Sequence, residues 1–211
     1  LAGAPGTAKT TIALTLAAAI SRGSKWPDGV ASAPIGDVLI WSSEDDLQDT
    51  IIPRLLAAGA DLDKIHYVDS VCDCKRNRLF DPAKDFPLLK AAIEKLSNKV
   101  SFMIIDSIAD AVAGDSAKNN QVRRALSPVK EFAEENNIAV LGITHFNKGS
   151  GGKATSRIID SVAFVGLPRV VMVAFKKQDG GSLLMRAKSN IGPDQGGFAF
   201  NTFVEQLHGY D

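Results

Sequence analysis

The chain has little of what marks several large classes of protein. Its 211 residues include two cysteines, Cys72 and Cys74, which are too few for a four-ligand zinc site and too close together for an ordinary disulfide. We therefore expect free thiols in a reducing compartment. No apolar run approaches the ~18 residues of a membrane-spanning helix, and no signal-peptide pattern is present. These absences predict a cytoplasmic protein that does not contact a membrane.

The chain also lacks any excess of charge of one sign. Twenty-four Lys and Arg residues balance twenty-four Asp and Glu residues, so a nucleic-acid contact has to come from a local basic segment. There is no internal repeat, no low-complexity tract and no long linker. A chain of this length with 45% hydrophobic residues predicts one sizeable core, in a single domain over residues 1–211.

The first eleven residues hold the most informative motif. Residues 3–10 match the pattern G-x-x-x-x-G-K-[ST] except that Ala8 replaces its second glycine. In this pattern backbone N–H groups surround phosphates, a lysine reaches the β and γ oxygens and a hydroxyl binds Mg²⁺. This motif predicts an ATP site that includes Gly3, Ala4, Pro5, Gly6, Thr7, Ala8, Lys9, Thr10 and Thr11.

Two features of this loop bear on what it can do. Ala8 stands where the pattern has glycine, and its Cβ is expected to weaken nucleotide binding by about 1 kcal/mol or more. Ile12, Leu16 and Ile20 recur every four residues, which predicts a helix whose N-terminal dipole favours bound phosphate. Because only Leu1 and Ala2 precede the loop, we expect the first strand to lie outside this sequence, alone or with a further domain.

Short apolar runs alternate with helical patterns through the first two thirds of the chain. This alternation predicts an α/β fold with a mainly parallel sheet flanked by helices. Runs 169–175, 183–188 and 198–203 predict antiparallel strands added at the sheet edge. We expect an irregular polar stretch over 69–85, a helix over 46–56 and one long amphipathic helix through 122–133. The main buried strands are expected at 38–41, 100–105 and 138–144.

Acids follow two of these strands. Asp106 ends the 100–105 run, where an open α/β sheet binds ligands, and an aspartate there can hold Mg²⁺. Glu44 is the first candidate to polarise an attacking water, and Asp45 is the second. The alternatives are ordinary ones: Asp106 capping a turn, and Ser43 with Asp46 forming a helix-capping pair.

His145 and a basic segment follow the third buried strand. A strand-end histidine can touch a terminal phosphate and respond to its loss, although such a residue is also common in purely structural roles. The segment 147–157 is rich in glycine and contains Lys148, Lys153 and Arg157 without an acid. This composition suits a nucleic-acid backbone or, alternatively, a solvated loop.

These motifs, in this order, resemble the RecA-like ATPase core, and in detail the RepA-type hexameric replicative helicases and mobile-element primase-helicases. The segments that match are 3–11, 41–46, 104–106, 144–148 and 186–193. The resemblance implies that Lys9 and Thr10 bind phosphate and magnesium, that Glu44 activates water and that Asp106 supports the metal. It also implies that His145 senses the terminal phosphate.

The resemblance further implies a homo-oligomer, most simply a hexameric ring that binds ATP, Mg²⁺ and single-stranded DNA. Each site in such a ring is completed by cations of the neighbouring subunit, for which Arg169 and Lys188 are candidates; both are also plausible surface cations. Related helicases have an arginine two residues after the lysine that Lys188 matches, whereas this chain has Asn190, which favours Arg169. The alternative function is a KaiC-like nucleotide-dependent switch that does not move along DNA.

Overall fold

A computed structural model describes residues 1–73, 76–112, 118–146, 163–178 and 180–207. Within these residues the strands are β1 (Ala2–Gly3), β2 (Asp37–Ser42), β3 (Ile65–Tyr67), β4 (Ser70–Asp73), β5 (Arg76–Leu79), β6 (Val100–Asp106), β7 (Ala139–His145), β8 (Val170–Lys176), β9 (Ser182–Ser189) and β10 (Gly197–Phe200). The α-helices are α1 (Lys9–Arg22), α2 (Ile52–Ala57), α3 (Phe86–Ile93), α4 (Asn119–Ala125), α5 (Ser127–Asn136) and α6 (Ala163–Gly166).

Eight strands form one sheet in the order β10-β9-β8-β1-β7-β6-β2-β3. All neighbours from β8 to β3 pair in parallel, and β9 and β10 add antiparallel pairings at the C-terminal edge. The predicted fold class is therefore confirmed. None of the helices in the described ranges is long and apolar enough to span a bilayer.

The central strands are apolar on both faces because both faces of the sheet are covered. In β2, Val38 and Ile40 pack in a core cluster with residues of α1 and α2, whereas Leu39 and Trp41 pack on the other side with residues of α3 and α5. This alternation follows from the two-residue period of a strand. An uninterrupted apolar run is the sequence signature of such a doubly covered strand.

One strand runs in a direction that the sequence did not predict. The 169–175 run forms β8, which pairs in parallel with β1, with Ala2 opposite Val173 and Gly3 opposite Ala174. It was expected to be an antiparallel addition at the edge. The correction matters for the site because a parallel β8 ends at the same edge of the sheet as the phosphate loop.

Two local expectations were wrong, and a third holds except for the type of its first turn. The 69–85 stretch contains the hairpin β4–β5 instead of irregular structure. The 122–133 pattern is two helices, α4 and α5, because Pro128 in the first turn of α5 has no N–H to continue the ladder. The 46–56 helix begins as a π-helical turn at Leu47–Ile51 before α2.

Candidate functional site

Four parallel strands end at one edge of the sheet, and each is followed or ended by a residue of the site. Their register aligns these ends: Ser42 lies opposite Asp106, Asp106 opposite Ile143, and Gly3 opposite His145. The phosphate loop leaves β1 at this edge, and Glu44 lies two residues beyond the end of β2. The fold thus brings together residues that are up to 142 positions apart, from Gly3 to His145.

The loop between β1 and α1 has the shape that its glycine pattern requires. Ala8 has φ 62° and ψ 27°, in the left-handed region that glycine adopts most readily. Its carbonyl accepts the first helical hydrogen bond from the Ile12 N–H at 2.9 Å. At Gly3, a Cβ would lie 2.7 Å from the Ala174 carbonyl oxygen and 2.6 Å from the Thr7 hydroxyl, so only glycine lets the loop lie this close to β8.

Thr10 and Asp106 form the side of the site suited to a cation. The Thr10 hydroxyl donates to Asp106 Oδ2 at 2.7 Å, and Asp106 is 2% exposed. Burial raises the pKa of Asp106, the Thr10 hydrogen bond opposes that rise, and the nearby Glu44 adds to it. Asp106 Oδ1 is buried without a hydrogen-bond partner among the described residues. Carboxylate and hydroxyl oxygens are the ligands that Mg²⁺ takes, so these residues fit a magnesium ion.

Lys9, His145 and Glu44 are joined by hydrogen bonds. Lys9 Nζ donates to the Ala4 carbonyl at 3.0 Å and lies 3.3 Å from His145 Nδ1. Because an ammonium group only donates, Nδ1 is the acceptor and Nε2 carries the ring proton. That nitrogen is 3.0 Å and 3.1 Å from the two Glu44 carboxylate oxygens. His145 thus links the Lys9 ammonium to the Glu44 carboxylate.

Burial also affects the lysine itself. Desolvation lowers the pKa of Lys9, and the negative charges of Asp106 and Glu44 oppose that change. The side chains of Glu44 and His145 remain 40% and 39% exposed. A ligand at the mouth of α1 can therefore reach them.

The other acids after β2 have partners away from His145. Asp45 forms an ion pair with Arg54 at 3.1 Å. Asp46 caps the π-helical turn, since its Oδ1 accepts from the N–H groups of Gln48 and Asp49 at 2.8 and 2.9 Å. Ser43 was expected to form a helix-capping pair with Asp46. That expectation is wrong for Ser43, because its hydroxyl donates to Asp110 instead.

The two cations considered for a neighbouring site lie away from the loop of their own chain. Arg169 precedes β8 by one residue and is exposed; it stands five residues before Ala174, which lies opposite Gly3, or about 16 Å along the strand. Its guanidinium makes no hydrogen bond or ion pair with any described residue. Lys188 donates to the carbonyls of Val165, Gly166 and Pro168 at 2.8–3.1 Å, so its three protons already have partners.

Sequence reasoning missed one cation at the site. Lys176, the last residue of β8, places its ammonium 3.9 Å from where a Cβ on Gly6 would lie. The sequence does show a lysine at the end of an apolar run. Because that run was expected to be antiparallel, Lys176 was expected at the opposite edge of the sheet from the phosphate loop. The basic residues Lys148, Lys153 and Arg157 lie outside the described residues.

Comparison with known proteins gives two results. The family model described as AAA domain matches residues 1–151. A solved structure titled as a DnaB-like replicative helicase and its interactions with primase superposes with a TM-score of 0.65 and 13% identity, over 94% of this chain and 53% of that chain. At that identity the match shows the fold, which confirms a RecA-like core, and the chain spans about half the length of that protein. No curated protein matches the sequence.

Proposed function

This chain belongs to the AAA domain family, and we propose that it is a magnesium-dependent ATPase motor that assembles into a ring and moves along single-stranded DNA. The observation on which the proposal mainly rests is the hydrogen-bonded chain from Lys9 through His145 to Glu44. It connects a residue suited to hold a terminal phosphate with a carboxylate suited to act on water. A site that only bound nucleotide would not need this connection.

In the proposed mechanism the residues around the mouth of α1 bind the triphosphate. The backbone N–H groups of residues 3–11, which Pro5 alone lacks, and the α1 dipole would attract the phosphate oxygens, and Lys9 would supply a positive charge to them. Lys176 lies beside the same loop and adds a second positive charge. Binding and orientation by these groups align the terminal phosphate for in-line attack.

Thr10 and Asp106 would hold the magnesium ion, through the hydroxyl and the carboxylate that already lie 2.7 Å apart. An ion held there would supply positive charge against the phosphate oxygens. Asp106 has an oxygen without a hydrogen-bond partner in the described part of the chain, and it can serve the ion directly or through water.

Glu44 accepts a hydrogen bond from the attacking water and orients it. Its carboxylate is held by the Nε2–H of His145, whose other ring nitrogen is in contact with Lys9. A phosphate that draws Lys9 away changes the hydrogen bonding of His145, and through it that of Glu44. His145 thereby acts as the sensor of the terminal phosphate.

Ring assembly and DNA movement are the part of the proposal that draws on the structural neighbour, a DnaB-like replicative helicase by its title. The exposed Arg169, at the edge opposite its own phosphate loop, is proposed to complete the site of a neighbouring subunit, most simply in a hexamer. The segment containing Lys148, Lys153 and Arg157 is proposed to contact the DNA backbone.

The test of the proposal is the ATPase rate with and without single-stranded DNA at low and moderate salt. We expect magnesium-dependent turnover that DNA stimulates, with a stimulation that falls as salt rises, because phosphate contacts release counterions. The Lys9→Ala variant, which lacks the phosphate-binding ammonium, supplies the background rate.

Other outcomes would contradict specific parts of the proposal. A rate indifferent to DNA at every salt concentration would favour the KaiC-like switch over the motor. A wild-type rate equal to that of Lys9→Ala would remove the ATPase itself and leave a module that only binds nucleotide, consistent with the methyl group of Ala8.

A further inference from the structure

We propose that Asp110 is a positioning residue that fixes Glu44 and Asp106 relative to each other. It acts through the hydroxyls of Ser43 and Ser107, each a chain neighbour of one of these two acids. The inference rests on the proposed function, because it assigns a catalytic consequence to a contact at the same site. No motif in the sequence singles out Asp110.

One carboxylate oxygen joins the two strand ends. The Ser43 hydroxyl donates to Asp110 Oδ2 at 2.7 Å, and the Ser107 hydroxyl donates to the same oxygen at 2.9 Å. Ser43 follows β2, and Ser107 follows β6. Hydrogen bonds to an ionised acceptor are stronger than neutral ones, and here two of them converge on a single atom.

Backbone groups tighten the same junction. The Ser107 N–H donates to Ser43 Oγ at 3.2 Å, and the Ser43 N–H donates to the Asp106 carbonyl at 2.7 Å. Ser107 is 4% exposed, so its hydroxyl needs a protein partner, and Asp110 provides it. Without Asp110, the Ser43 hydroxyl would lose its shorter contact and keep, as an acceptor, the Asp106 carbonyl at 3.3 Å.

Asp110 is itself held at the end of a short turn. Its N–H donates to the Ser107 carbonyl at 3.2 Å, and the Ile108 N–H donates to the Ile143 carbonyl at 2.8 Å. The turn is thus tied to β7, two residues before His145. The position of the Asp110 carboxylate is therefore set by the three strands that deliver Asp106, Glu44 and His145.

The consequence of losing this junction falls on the chemical step. Ser43 and Ser107 are adjacent in the chain to Glu44 and Asp106, whereas residues 3–11, all in the described part of the chain, make no hydrogen bond with Asp110. A misplacement of about 1 Å in a catalytic group reduces rate by up to about 100-fold. We therefore expect Asp110 to affect kcat far more than the KM for ATP.

The experiment compares Asp110→Ala, Asp110→Asn and the control Asp63→Ala. Asp63 is also an exposed aspartate, and its carboxylate makes no hydrogen bond with any described residue. We expect Asp110→Ala to reduce kcat about 10- to 100-fold, with the KM for ATP changed less than about three-fold. Asp110→Asn keeps an acceptor oxygen and should recover much of the rate. Asp63→Ala should match the wild type.

A second measurement does not need ATP hydrolysis. It is the thermal unfolding of Ser43→Ala, Asp110→Ala and the double variant. The Tm shift of the double variant should be smaller than the sum of the two single-variant shifts, because each single change already breaks the shared contact. Additive shifts would overturn the inference even if the wild type proved inactive.

The kinetic outcomes separate the two proposals. If the wild type exceeds the Lys9→Ala background while Asp110→Ala keeps a wild-type kcat, or while Asp110→Asn is as slow as Asp110→Ala, the positioning role is wrong and the proposed function stands. If the wild type does not exceed that background, the proposed function fails, and the Tm coupling alone decides whether Asp110 joins the two strand ends.

Discussion

At the scale of single residues, the backbone of Ala8 has a direct energetic meaning. A left-handed conformation costs a residue with a Cβ about 1–2 kcal/mol, whereas glycine pays about 0.4–1 kcal/mol through its freer unfolded state. We therefore expect Ala8→Gly to stabilise the protein by up to about 1 kcal/mol and to raise Tm by about 2–4 °C. Removing the methyl group should also tighten ATP binding about five-fold.

Thermal unfolding and nucleotide titration check this prediction. The matched control is Ala91→Gly, on the exposed face of α3, where the same substitution should destabilise the protein by about 1 kcal/mol because the helix interior disfavours glycine. A destabilising effect of Ala8→Gly would mean that the left-handed geometry of residue 8 is not strained.

Residues at strand ends were the most predictable part of the site. Five predicted site residues either end or follow an apolar run or belong to a spaced motif, and the structure brings all five to one edge of the sheet: Lys9, Thr10, Glu44, Asp106 and His145. Their roles stay predictions. Lys176 and Asp110 were not predictable in this way. Their places depend on the direction of β8 and on a turn held by contacts to β7, and neither is encoded in local spacing.

At the scale of elements, the hairpin β4–β5 depends on one ion pair with α3. The Arg78 guanidinium binds both carboxylate oxygens of Asp85, with Nη2 2.7 Å from Oδ1, and Asp85 is 2% exposed at the start of α3. Next to this pair, the rings of Phe80 and Phe86 meet edge to face with centroids 5.7 Å apart. This charged pair and this aromatic pair both join the hairpin segment to the start of α3.

The ion pair predicts a specific pH dependence of stability. Hydrogen bonding to Arg78 is the main cause that holds the pKa of Asp85 below its ordinary value. The stabilisation of the folded state by the Asp85 carboxylate is therefore complete above the ordinary aspartate pKa of about 3.9. It is lost as the pH falls through the lower pKa that Asp85 has in the folded state. Asp85→Asn should cost about 2 kcal/mol at pH 7 and much less near pH 2.

Urea unfolding at the two pH values measures this difference, with Asp63→Asn as the exposed control that should have little effect at either. An equal cost of Asp85→Asn at both pH values would show that the carboxylate charge does not stabilise the hairpin.

The hairpin also shows why some elements could not be predicted. Its strands have four residues each, and the side chains that anchor it, Val71 and Phe80, are too few to give a strand period. Arg78 and Asp85 are seven residues apart, so the sequence gives no local sign that they pair. The division between α4 and α5 is different, because Pro128 marks it in the sequence while the apolar period continues across it.

At the scale of the whole molecule, the proposed ring makes each active site belong to two subunits. Lys9→Ala disables the subunit that binds the nucleotide, and Arg169→Ala disables the subunit that completes the neighbouring site. Each variant alone should lack turnover, and Arg169→Ala should retain nucleotide binding. In an equal random mixture, about a quarter of the head-to-tail interfaces combine an intact loop with an intact Arg169.

ATPase activity that reappears on mixing the two inactive variants is the expected result, and nucleotide titration checks the binding of each variant alone. The control is a mixture of Lys9→Ala with a Lys9→Ala, Arg169→Ala double variant, which has no intact loop and should stay inactive. Normal hydrolysis by Arg169→Ala alone would contradict the shared site.

The course of β8 has a mechanical consequence. The strand begins one residue after Arg169 and ends at Lys176 beside the phosphate loop, while Gly3 packs against its Ala174 carbonyl with no room for a methyl group. A hydrogen-bonded strand is stiff along its length, so a shift of the phosphate loop would displace the whole of β8. If the proposed ring forms, a movement at one phosphate loop would thereby be passed along β8 to Arg169, at the opposite edge of the same sheet.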